Sequence, residues 1–233
     1  MNTIRRRLVP LAAVALLLGL ATAAGAEDGL VEYVEGEVWI ESSGTREIAA
    51  TREIADFGSS VSAGDLVITG SDGIAIVAVG AGSQIKLRED TVVEIHSAAT
   101  RGSVDLRQGG IFARVNRAVA GGRAFQVSTP TVVAGVRGTE FFIAYGRTIE
   151  ELPDVWLCVN EGSVEIAVRE VDSRTIVNEG EGVNILSGVR TTDPRFYPWT
   201  TELNWNFDPD AGEVRDTTDL DGAYSDLLDQ DYD

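Results

Sequence analysis

The chain reads as all-β: a twisted double sheet, of sandwich or solenoid type, closed by a short aromatic strap and an acidic tail. Three features of its 233 residues predict this. Apolar stretches are short, about four to seven residues each, and glycine or another turn residue separates them every 8 to 12 positions or so. Several alternate with period two: Ile85 and Leu87, Val93 and Ile95, Val104 and Leu106, Val164 and Ile166 each flank polar residues, as a half-buried strand requires. β-branched residues are plentiful, and no window of eleven or more residues keeps a helical stripe.

Residues 1–26 stand apart. Arg5, Arg6 and Arg7 precede an apolar run from Leu8 to Leu20, and Ala24, Gly25 and Ala26 form an A-x-A-like cleavage site. This predicts a secretory signal peptide, with an uncleaved anchor as the rival. The run falls short of the ~20 residues that span a bilayer, and no later stretch could cross one. The expected protein is therefore exported, to the periplasm or the medium, with no integral membrane domain after cleavage.

The formal charge is −18, from 19 basic and 37 acidic residues. Removing the three arginines of residues 1–26 leaves 16 against 37, or −21. So acidic a surface repels phosphate backbones and excludes nucleic acid as a partner. One cysteine, Cys158, cannot make an internal disulfide, and within Val155–Val159 it reads as a small buried strand residue.

From residue 27 to 188 a single β domain is expected, its strands in segments such as GEVWIES, GDLVITG, SQIKLRE, TVVEIHS, DVWLCVN and GVNILSG. The duplicated REIAATREIA, Arg46 to Ala55, reads as a surface loop or strand extension. Turns are expected at Ser71-Asp72-Gly73, Gln108-Gly109-Gly110 and Asn160-Glu161-Gly162, where glycine supplies positive φ. Residues 189–207 hold five aromatics among prolines and read as a strap packed on the domain or as an exposed partner-binding segment. Residues 208–233 read as a solvated, disordered acidic tail: from Thr201 onward there are eleven acidic residues and one arginine.

No enzymatic chemistry is read. The one histidine, His96, lies opposite in parity to Val93 and Ile95 and faces solvent, with no nucleophile or orienting acid assignable to it. A cysteine and histidine zinc site lacks ligands. The aspartates at 208, 210, 216, 219 and 221 offer calcium's ligand type without an EF-hand spacing. No catalytic, cofactor-binding or metal residue is therefore assigned.

The most informative stretch is FQVSTPTVVAGVRGTEF, Phe125 to Phe141, followed by VNEGSVEI. It resembles the FecR domain, whose central run has Thr129, Pro130, Gly135, Arg137, Gly138, Thr139 and Phe141 at these spacings. The upstream GDLVITGSDGIAIVAVG is similar to the same family, and the resemblance covers about Val34 to Leu186. It implies a non-enzymatic exported module that binds another envelope or extracellular protein as scaffold or sensor. The alternative it implies is a relay from an outer-membrane receptor to a sigma-factor system. That family's regulators carry a cytoplasmic anti-sigma segment before a membrane helix, whereas here only Met1 to Arg7 precede the apolar run. From the residues themselves, Pro130 belongs at a strand start or edge. Gly135 and Gly138 permit close approach or positive φ. The Arg137 guanidinium needs a partner such as Glu140 or Glu161.

Overall fold

The structure, a computed structural model, describes residues 29–42, 51–80, 82–98, 102–116, 125–136, 138–148, 153–171 and 173–229. The predicted signal peptide and Arg137 lie outside the described residues. The first strands are β1 (Gly29–Glu35), β2 (Val38–Ser42), β3 (Thr51–Ile54), β4 (Ser60–Val61), β5 (Leu66–Thr69), β6 (Ile74–Ala78), β7 (Gln84–Leu87), β8 (Val92–Ser97) and the long β9 (Ser103–Arg114). Next come β10 (Phe125–Ser128), β11 (Val132–Val136), β12 (Glu140–Thr148), β13 (Pro153–Glu161), β14 (Ser163–Val168), β15 (Ser173–Asn178) and β16 (Glu181–Leu186). Two short strands, β17 (Arg190–Thr191) and β18 (Arg195–Phe196), then lead to a 3-10 turn (Pro198–Thr201) and helix α1 (Leu220–Asp229).

The all-β expectation holds, as a double sheet. Sheet A runs β4-β1-β6-β7-β9-β12-β13-β16, with β17 and β18 on its last strand. Sheet B runs β3-β2-β5-β8-β9-β10-β11-β14-β15. All pairings are antiparallel except β9 with β10. The alternating residues read from sequence, Ile85, Leu87, Val93, Ile95, Val104, Leu106, Val164 and Ile166, are fully buried in one core that the two sheets share.

β9 belongs to both sheets, and this corrects the expected turn at Gln108-Gly109-Gly110. Residues 103–108 pair with β8, and residues 109–114 pair with β7 and β12. Gly109 makes the crossing at φ +88, and a Cβ there would stand 2.6 Å from the Thr91 Cα. Only glycine fits. Thr91 seals the joint: its Oγ1 accepts from Gly110 N at 3.1 Å and is 3.2 Å from the Gly110 carbonyl. A strand that switches sheets at such a bend is how sheets packed across one core make their corners.

The end of the chain departs most from expectation. Residues 197–229 are laid over the outer face of sheet A. Ile76, Phe112, Phe142, Trp156 and Cys158 point away from the shared core and pack against Tyr197, Leu203, Phe207, Val214, Ala223, Tyr224 and Leu227. This is why the strands of sheet A are buried on both faces, β13 with six consecutive buried residues. Fully burying one large side chain is worth about 1.5–3 kcal/mol, so this second layer is a substantial share of stability. The disordered-tail expectation for residues 208–233 is thus overturned for residues 208–229, because acidic composition hides an apolar series. Leu220, Ala223, Tyr224, Leu227 and Leu228 fall at i, i+3, i+4, i+7 and i+8 on α1 and meet this cluster. Asp219 caps α1, its Oδ1 accepting from Asp221 N and Gly222 N.

Polar contacts fasten this layer. Lys86, on the outer face of β7, is 1% exposed and donates to the carbonyls of Asn204 (2.6 Å), Asn206 (2.9 Å) and Val214 (3.0 Å). Its ammonium also sits 4.4 Å from the Phe112 ring centroid. Burial lowers its pKa to about 8. Arg88 reaches Asp216 at 3.2 Å in a buried ion pair, and Arg215 donates to Glu35 at 2.7 Å, linking the layer back to β1. Arg215 and the Tyr33 hydroxyl together hold the Glu35 carboxyl below the usual range.

Candidate functional site

The predicted motif residues build a corner. β10 and β11 form a hairpin in sheet B whose turn is Thr129 to Val132. Thr129 is buried, and its Oγ1 accepts from Val132 N at 3.0 Å. Pro130 occupies this exposed turn, not the strand start or edge expected, because the side chain of Thr129 supplies the bond that closes the turn. Gly135, in β11, corrects the other expectation: a Cβ there would meet only the Glu165 carbonyl at 3.9 Å. Space does not require that glycine.

Beyond Val136 the chain leaves sheet B and enters sheet A as β12; after β13 it returns to sheet B as β14. These two passages lie against each other. Gly138 has φ +64 and Gly162 φ +84, and a Cβ on Gly162 would stand 2.8 Å from the Gly138 carbonyl. Thr139, 2% exposed, fastens the corner by donating from Oγ1 to the Ser163 carbonyl at 3.1 Å, while its own carbonyl accepts from Val115 N at 2.9 Å. Phe141 is fully buried in the shared core. Of the two carboxylates put forward for Arg137, Glu140 accepts from Arg114 Nε and from Asn160 Nδ2 at 3.0 Å, and Glu161 is exposed. The same double corner occurs where β1 passes to β2 beside β5 passing to β6, with Gly70 N donating to the Glu37 carbonyl at 2.8 Å. Among the described motif residues, Thr129 closes the hairpin turn, Gly138 and Thr139 shape the corner, and Phe141 packs in the core.

A cavity of about 580 Å³ opens between sheet A and α1. Arg88, Arg147, Asp154, Trp156 and Tyr224 contribute to its wall. Arg147 stacks 4.3 Å over the Tyr224 ring, pairs with Asp221 at 3.2 Å and donates to the Asp221 carbonyl. Tyr224 donates to Asp154 Oδ2, whose other oxygen accepts from Ser187 N at 2.6 Å. Burial, then the adjacent Asp154 carboxylate, raises the Tyr224 pKa. This phenol is a donor, not a base. Cys158 is fully buried in the outer-layer cluster, and burial pushes its thiol pKa up to about 12.

The exposed apolar surface lies elsewhere. β3 pairs with β2 alone among the described residues, and all four of its residues are exposed. Ile54, on that strand, is 74% exposed, and Phe57 just beyond it is 80% exposed. Sequence reasoning treated this segment as a loop or strand extension without function. The signal was available as two large apolar side chains beside a charged repeat.

Residues 65–165 match the family model described as FecR protein. No curated protein matches the chain. Two solved structures of a protein from Parabacteroides distasonis, described as a candidate anti-sigma factor, are similar at 19% identity and a TM-score of 0.45. The first match covers 55% of this chain and 57% of that one, the second 62% and 68%. This chain thus spans a little over half the length of the first. The matched region runs from the start of β5 into β14 and contains the crossing at Gly109 and the corner at Gly138 and Gly162. Over residues 65–165 the chain is similar to the FecR protein family.

Proposed function

We propose that this chain is an exported, non-enzymatic interaction module with a signalling or sensor role in the bacterial cell envelope or outside the cell. The observation that carries the reading is the edge of sheet B at β3. There, among the described residues, the side of β3 away from β2 has no partner strand, and it lies beside Ile54 and Phe57, at 74% and 80% exposure. Such an edge recruits an extended segment of another protein as an added strand: main-chain bonds give affinity and the flanking apolar groups give selectivity. The FecR domain supports the signalling character of the reading, and the charge pattern of residues 1–26 supports export.

The test places a photo-crosslinking amino acid at Phe57 in cells and a control at Ile176 on the opposite edge strand, where exposure is 59%. One discrete protein adduct at 57, absent at 176 and lost when Ile54→Asp is added, is expected. Equal adducts at both edges, or none, would reject the β3 edge as the interaction site.

A relay to a sigma-factor system is the second reading, favoured by the FecR domain alone. Deletion of the coding sequence should then change the transcript set of one alternative sigma factor. An unaltered transcriptome rejects it.

A further inference from the structure

Two adjacent strands of sheet B bring three ligating side chains together outside the motif and the cavity. Glu94 and His96 are two apart on β8 and so share a face. Asp105 of β9 is the direct cross-strand partner of Glu94. The intervening residues, Val93, Ile95, Val104 and Leu106, are fully buried in the shared core, which places the three on the outer face of sheet B. One ligand atom from each lies within 4.8 Å of the other two. His96 Nδ1 is 4.0 Å from Glu94 Oε1, and Nε2 is 3.7 Å from Asp105 Oδ2.

Two carboxylates directly opposed in an antiparallel pair repel each other and are destabilising unless a cation lies between them. Arg107 engages Glu94 through Oε2, the oxygen other than the one nearest His96. It fixes the carboxylate and leaves Oε1 for the triangle. The side chains of Glu94 and Asp105 are 16% and 27% exposed, so their carboxylates are held against the sheet, while His96 at 51% stands at the solvent boundary. Cysteine and histidine alone cannot furnish a zinc site in this chain. One imidazole and two carboxylates can, because a site that keeps water needs only three protein ligands. Of the tail aspartates considered for calcium, Asp208 and Asp219 accept backbone N–H groups, Asp216 holds Arg88 and Asp221 pairs with Arg147.

We propose that Glu94, His96 and Asp105 form a divalent-metal site of the zinc class on the outer face of sheet B, with water completing the coordination. The ion neutralises the opposed carboxylates and pins β8 to β9 where β9 begins its course through both sheets. Its water-bearing side faces solvent.

The chain has one histidine, so its imidazole C–H resonances are a private reporter. Metal-free full chain titrated with Zn²⁺ should show those resonances moving to saturation at one equivalent. Calorimetry should give the same stoichiometry, with affinity weakened at least about tenfold in His96→Ala and in Asp105→Asn. Visible absorption of bound Co²⁺ should follow the same pattern, and Asp208→Asn should bind as the parent does. Static imidazole resonances at one equivalent overturn the site without any variant. Binding that survives both His96→Ala and Asp105→Asn places the ion elsewhere on the acidic surface and overturns it too.

Discussion

Tyr224 of α1 donates its phenolic hydrogen to the Asp154 carboxylate of β13, 70 residues earlier in the chain, and that bond is buried. Tyr224→Phe leaves an oxygen of Asp154, a residue only 1% exposed, without this donor. The expected loss is about 1–3 kcal/mol. Amide hydrogen exchange across residues 220–229 should accelerate before that of β13, because α1 loses its anchor while the strand keeps both neighbours. A denaturation midpoint equal to the parent's would show that the bond contributes nothing.

Lys86 gives a pH dependence with a definite sign. Folded Lys86 releases its proton at about 8, whereas the unfolded chain keeps it to about 10.5. Between those values the unfolded chain binds more protons, so unfolding free energy rises with pH, by at most about 1.4 kcal/mol per unit. The window closes near 10, where tyrosines of the unfolded chain begin to ionise while Tyr224 stays neutral. Urea denaturation at about pH 7.5 and 9.5 should show the parent gaining on Lys86→Met across this interval. A constant difference would remove Lys86 as the source.

At the corner, Gly162→Ala places a methyl 2.8 Å from the Gly138 carbonyl at a φ of +84. A cost of about 1–3 kcal/mol is expected in thermal unfolding. Gly135→Ala, in the same family motif, meets nothing nearer than 3.9 Å and should be neutral or stabilising by about 0.5 kcal/mol. If the two alanines behave alike, the corner does not constrain the fold.

Ending the chain after Phe207 removes Val214, Ala223, Tyr224 and Leu227 from the outer layer. The truncated protein should bind a hydrophobic dye such as ANS and self-associate, since Phe142 and Trp156 would then face water. A monomeric, dye-silent product would mean that residues 208–229 do not cover sheet A in solution.

The inner core was legible residue by residue. Ile85, Leu87, Val93, Ile95, Val104 and Leu106 alternate in sequence because one of their faces meets the opposite sheet. The outer layer was not legible, for the same reason seen from the other side. Lys86 alternates with Ile85 and Leu87 as a solvent-facing residue would, and no local pattern says that Asn204, Asn206 and Val214 will arrive to accept its hydrogens. α1 escaped notice because it is ten residues long, with its five apolar residues diluted by aspartate. The glycines of the motif were readable as geometric, but which one is indispensable depends on what stands opposite: a carbonyl faces Gly162 and open space faces Gly135. The triangle at Glu94, His96 and Asp105 required the β8 and β9 register, which joins residues eleven apart.

The covering layer also sets an order of events during synthesis. Phe112, Phe142 and Trp156 are made before every residue that shields their outward faces, and the last of those, Leu227, lies seventy residues beyond Trp156 or more. A chain emerging N-terminus first therefore completes residues 65–165 while one broad face is still bare. Until α1 has emerged and docked, Phe142 and Trp156 on that face stay open to water, and it is the last residues made that end this exposure.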